Sequence, residues 1–130
     1  MVIPHLVSTD AAKAIEFYKA ALGATEVMRM PAQDGKRLMH AEIRVGDDRL
    51  FLCDDFPEWR AGKANTAVAL GGTPVVLHMY VPNCDEAVKR MADAGGTVTM
   101  GPQDMFWGDR YAQVKDPFGF TWSFAHPLKK

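Results

Sequence analysis

The sequence predicts an α+β protein made of two copies of a β-α-β-β-β module, with curled mixed sheet around a cleft. Two observations predict this. The run Ala14 to Thr25 lies over Ala87 to Val98 without a gap, an offset of 73 residues (from Ala14 to Ala87). Both runs open on an Ala-aliphatic pair, continue with helical periodicity, stop at glycine and pass into β-rich sequence. The second observation is the segment 54–74, rich in Gly, Pro, Asn and Thr, which separates the copies as a linker or as a loop over a site. The modules then span 1–60 and 75–130, joined through 61–74, within one structural domain. A duplicated unit places its binding site between its copies.

Each element follows in order. Ile3 to Val7 reads as a short strand, and Thr9 or Asp10 caps the next helix, which runs to Gly23. Ile15, Tyr18 and Leu22 share one face of that helix. Glu26 to Met30 reads as a strand, and the turn chemistry of 31–36 follows it. From Leu38 to Val45, Met39, Ala41, Ile43 and Val45 alternate with His40, Glu42 and Arg44, the pattern of a half-buried strand. Gly46-Asp47-Asp48 turns into a return strand, Arg49 to Cys53. Val75 to Val81 opens the second copy. Asn83 and Glu86 then have capping-box spacing ahead of a helix that stops at Gly95-Gly96. Thr97 to Met100 is a strand broken by Gly101-Pro102. Arg110 to Lys115 and Phe120 to Phe124 form the last hairpin around Asp116-Pro117-Phe118-Gly119.

Composition narrows the function. The chain has 130 residues, 48% of them hydrophobic, with 15 basic and 16 acidic residues and a net charge of −1. No basic run exists, which argues against nucleic acid and anionic membranes as partners. No apolar run reaches membrane-spanning length, and no charged signal region precedes Pro4, so the expected location is the cytoplasm. Cys53 and Cys84 have no metal-type spacing and are expected to be reduced thiols.

Ordered strings then carry a family resemblance: Ala14-Ile15-Glu16-Phe17-Tyr18 with Leu22-Gly23-Ala24, Met39-His40-Ala41-Glu42, and Leu70-Gly71-Gly72-Thr73-Pro74-Val75. They continue with Leu77-His78-Met79-Tyr80-Val81, Met105 to Tyr111, and Asp116 to Trp122. The chain resembles the vicinal oxygen chelate superfamily (glyoxalase, bleomycin resistance protein, dioxygenase), and within it the PhnB-like branch. The resemblance implies paired β-α-β-β-β modules and a homodimer. It leaves the activity open, since one fold hosts many chemistries. The methyltransferase label often attached to this branch finds no support, because the Gly-rich loop that binds a nucleotide is absent.

Metal-dependent members hold a divalent ion through one residue from each of four strands, typically His, Glu, His and Glu. Counting from the flanking motifs places those positions at Ile3, Phe51, Val75 and Ser123, none a good ligand. His5 shares a face with Ile3 and Cys53 with Phe51, which leaves room for an improvised set, and His78 is expected to pack under a helix. The expectation is no metal and no cofactor, with a divalent ion as the alternative.

The candidate ligand-binding residues are His5, His40, Phe51, Trp59, Trp107, Arg110, Thr121 and Ser123. His5 and His40 offer imidazoles that exchange protons near neutrality. Phe106 and Trp107 offer flat apolar surface, and Arg110 a fork for a carboxylate or phosphate. Asp109 is expected to hold Arg110 or face water, and Glu42 with Arg44 to form an exposed row. Trp59 closes over a ligand or buries in a second subunit. Trp122 is expected in the core, with Thr121 and Ser123 facing the cleft. Three functions follow: a metal-free binder of a small organic molecule, a metal-dependent lyase, isomerase or dioxygenase, and a metal-free enzyme using His5 or His40 with Arg110.

Overall fold

The computed structural model describes residues 1–129. The first module holds β1 (His5–Ser8), α1 (Ala11–Leu22), β2 (Thr25–Pro31), β3 (Leu38–Val45) and β4 (Asp48–Asp54). A 3-10 turn (Pro57–Trp59) and a short helix α2 (Ala67–Leu70) follow. The second module holds β5 (Val76–Tyr80), α3 (Cys84–Ala94), β6 (Thr97–Asp104), β7 (Asp109–Lys115) and β8 (Thr121–Pro127).

The strand orders are β1-β4-β3-β2 and β5-β8-β7-β6, the same topology twice. In each sheet the first strand pairs in parallel with the last, and the remaining pairs are antiparallel. The helix caps repeat as well. Asp10 accepts a hydrogen bond from the Lys13 amide, and Asn83, offset by the same 73 residues, accepts one from Glu86. Each such cap contributes about 1 kcal/mol to its helix.

The two helices pack on each other and cover the inner faces of their own sheets. One continuous core results. Ile15, Tyr18, Ile43, Leu52, Met91, Val114 and Phe124 are all fully buried in it. Trp122 lies in this core, as its alternation with Thr121 and Ser123 predicts.

Three details differ from the sequence expectations. The sheets share no strand pairing and do not close on a common cleft. Four twisted strands make too short an arc to enclose a ligand-sized volume. Next, β6 runs unbroken through Gly101 and Pro102, because two register shifts absorb them on an edge strand where proline's missing donor costs no ladder bond. Finally, Met39 is exposed although Ala41, Ile43 and Val45 are buried. A register shift between Met30 and Pro31 turns it out of the alternation.

The face of each sheet away from the helices is open, and it is apolar in part. Met28, Met30 and Met39 are exposed on the first sheet, and Val76 and Tyr80 on the second. No helix is long and apolar enough to cross a membrane.

Candidate functional site

The open face of the first sheet carries His5, His40 and Phe51. His5 and Phe51 are register partners in the β1–β4 pair. The Phe51 ring lies 4.6 Å from His40 and 6.0 Å from His5, edge to face in both cases, and the two imidazoles are 5.8 Å apart. The sheet thus presents three flat rings side by side. Desolvation, and then the neighbouring His40, hold the His5 pKa below its ordinary 6.5. His5 is therefore neutral at pH 7. A depressed histidine pKa means that the folded state binds fewer protons than the unfolded chain, so this group adds a stability penalty as pH falls below 6.5. His40→Ala is expected to raise the His5 midpoint, followed by NMR, while leaving it below 6.5 because desolvation is the larger cause. An unchanged midpoint would show that the two imidazoles do not interact.

Beside these rings Glu42 is buried rather than exposed. The expected Glu42–Arg44 row does not form, because Arg49 from β4 takes the Glu42 carboxylate in a fork at 2.9 and 3.0 Å. That ion pair lowers the Glu42 pKa. Cys53 continues the same face, and burial followed by Asp54 and Asp55 raises its pKa, which makes it a poor nucleophile.

The segment after β4 is built as a platform. Trp59 stacks on Phe56 at 4.5 Å, nearly parallel. The Arg37 guanidinium lies 4.3 Å from the Phe56 ring centroid and is itself held by Asp34 and Glu58. Trp59 remains 66% exposed, so its surface is offered outward. A cleft of about 210 Å³ runs from Trp59 past Phe56 and Met39 to Cys53 and Val7, joining the platform to the open face.

The second sheet repeats the arrangement with different chemistry. His78 is the register partner of Ser123, as His5 is of Phe51. Ser123 Oγ lies 2.7 Å from His78 Nδ1. Tyr80 meets the His78 ring edge-on at 4.9 Å, and Tyr111 lies nearly parallel to it at 6.0 Å. Trp107, half exposed, is edge-on to Tyr111, with Phe106 beyond it. Thr121, the partner of Val76, flanks the group at the start of β8. Tyr80 Oη donates to Asp109, so Asp109 does not hold Arg110.

Three sequence expectations are corrected by the structure. Ile3 and Val75 lie outside their strands, and His5 and His78 stand opposite Phe51 and Ser123. His78 is exposed on the open face, not packed under a helix. Leu77 and Met79 point to the core on either side of it. Arg110 faces the opposite way from the ligand candidates. Its guanidinium binds Asp85 at the start of α3 and Asp104 on β6, and those two carboxylates hold it as a structural bridge. A separate cavity of about 320 Å³ lies between residues 1–4, the β3–β4 turn and β5, and touches only His78 among these groups.

If the ligand positions implied by the resemblance follow this strand pairing, they fall at His5, Phe51, His78 and Ser123. A phenyl ring donates nothing to a cation, and a neutral hydroxyl is a poor substitute for a carboxylate, so this set does not fit a divalent ion. Among the described residues no three His, Cys, Asp or Glu side chains converge as a metal cage.

The two β-α-β-β-β modules repeat one topology, with their helices packed on each other. The chain belongs to the Glyoxalase/Bleomycin resistance protein/Dioxygenase superfamily, whose family model matches residues 2–124. It is 46% identical over 127 residues to the protein Mb0911c of Mycobacterium bovis, covering 98% of this chain and 83% of that one. Among solved structures it resembles PA1353 of Pseudomonas aeruginosa (TM-score 0.76, 22% identity, 99% and 98% of the two chains). It also resembles TioX of Micromonospora sp. ML1 (TM-score 0.71, 24% identity, 100% and 98% of the two chains). At these identities the two structures speak for the fold alone.

Proposed function

We propose that this protein binds a planar organic molecule against the open sheet faces without a divalent ion, and that two chains pair to complete the site. One observation carries this reading: His5 and His78 stand opposite Phe51 and Ser123 rather than opposite carboxylates, and aromatic rings surround them. His40 and His5 flank Phe51, and Trp59 forms the outer wall of the same face. Tyr80, Tyr111 and Trp107 line the other. Flat rings give large contact area and favour stacked or edge-on partners. A single sheet wraps too little of a ligand, and its apolar residues stand in water, so a facing sheet from a second chain supplies the missing wall. We place the chain in the PhnB-like branch and in the cytoplasm.

The test is a thermal-shift and NMR titration with planar aromatic compounds. A saturating shift that moves resonances of Phe51, His40 and Tyr111 supports the reading. Phe51→Ala is expected to weaken that binding by about 1–2 kcal/mol, roughly five- to thirtyfold. No saturable response, or one that leaves these residues unmoved, would overturn it.

A further inference from the structure

The two sheets are equivalent in topology but not in hydrogen bonding. His5 faces a phenyl ring, whereas His78 faces the hydroxyl of Ser123, a residue only 1% exposed. The Ser123 proton must go to an acceptor, because burying an unpaired hydroxyl costs about 1–3 kcal/mol. Among the described residues, His78 Nδ1 at 2.7 Å is the only hydrogen-bond partner of Ser123 Oγ. If Nδ1 carried the imidazole proton, it would donate to Oγ and leave the hydroxyl proton with no acceptor. If Nδ1 is bare, it accepts from Oγ and every group is satisfied.

We propose that Ser123 donates to His78 Nδ1 and so fixes His78 as the Nε2–H tautomer, presenting an N–H donor on the open face between Tyr80 and Tyr111. The ligand class this selects is a planar molecule with an acceptor oxygen attached to its ring, such as an aryl ketone or aryl carboxylate. The ring lies among the aromatic side chains while the oxygen accepts from Nε2. Ser123 acts as a positioning residue and His78 as the contact. This rests on the small-molecule reading above and adds a chemical class to it.

Two readouts separate the failure of this proposal from the failure of that reading. The first needs no ligand. Long-range proton–nitrogen correlation spectra of histidine-labelled protein, recorded above the imidazole titration range, report each tautomer. His78 is expected as Nε2–H, and Ser123→Ala is expected to shift it toward a mixture. A wild-type His78 carrying its proton on Nδ1, or already mixed, would overturn the proposal. The second readout compares acetophenone with α-methylstyrene, which share shape but differ in the acceptor oxygen. Acetophenone is expected to bind about fivefold more tightly, in line with one net hydrogen bond. His78→Phe, at an exposed position, is expected to abolish that preference. Equal affinity of the two probes, with the ring resonances responding, would overturn the donor role alone. Failure of both probes to bind would overturn the small-molecule reading and this proposal together.

Discussion

Replacing Asp116 with alanine is expected to destabilise the protein by about 4 kcal/mol and to lower its melting temperature by at least about 10 °C. Asp116 is 4% exposed and accepts four hydrogen bonds. Its Oδ1 takes the amides of Phe118 and Phe120 at 2.9 and 3.0 Å, which shapes the β7–β8 turn. Its Oδ2 takes Trp122 Nε1 at 2.9 Å and the Tyr18 hydroxyl at 2.5 Å. Tyr18 comes from α1, so this carboxylate ties the first module to the second. Burial, and then the Asp116 charge, push the Tyr18 pKa well above its ordinary 10.0, so the phenol stays a donor at any physiological pH. Alanine would leave all four donors without their acceptor, and each unmet buried group is costly. Tyr18→Phe removes one donor and leaves three, so its expected cost is only about 1–2 kcal/mol. Chemical denaturation followed by tryptophan fluorescence measures both. A loss below about 1 kcal/mol for Asp116→Ala would show that the carboxylate does not join the modules.

Gly119→Ala is expected to cost about 3 kcal/mol through two separate effects. The backbone at Gly119 has φ +91°, a conformation that side chains other than glycine's rarely adopt. A Cβ there would also stand 2.9 Å from Ala67 Cβ and 3.3 Å from the Val68 amide nitrogen, at the start of α2. Ala67→Gly in the same chain removes the closest clash but not the strain, so the double variant is expected to regain part of the loss. Gly62→Ala separates the terms, because its φ is +79° but nothing lies within 4 Å of an added Cβ. Its expected cost is about 1 kcal/mol. Equal losses at Gly62 and Gly119 would mean that α2 does not pack against this turn.

Much of this architecture is legible in the sequence, and what is not has identifiable causes. The repeat at 73 residues gives two modules, and the caps Asp10 and Asn83 mark both helix starts. Local spacing reveals these features because helix periodicity and capping act within a few residues. The registers of β1 and β5 are not local. Each is set by pairing with a strand more than forty residues away, and counting from a nearby motif places the ligand positions at Ile3 and Val75. The repeat itself relates the two strands, since the same offset that aligns the helices carries His5 onto His78. Arg110 is misjudged for a similar reason. Its run looks free in sequence, but Asp85, twenty-five residues earlier, reaches it across the α3–β7 interface. The Asp116 hub has a weaker signature: a tyrosine on the apolar face of α1 needs a buried partner, and nothing near it in sequence supplies one.

The proposed metal-free site has Phe51 and Ser123 where the family resemblance implies carboxylates in metal-dependent members. Elemental analysis of protein purified without chelator or histidine tag tests this most directly. The prediction is nickel, zinc, iron and manganese each well below one equivalent per chain, with binding of planar compounds unchanged by a chelator. About one equivalent of any of these metals, lost together with ligand binding on chelation, would contradict it.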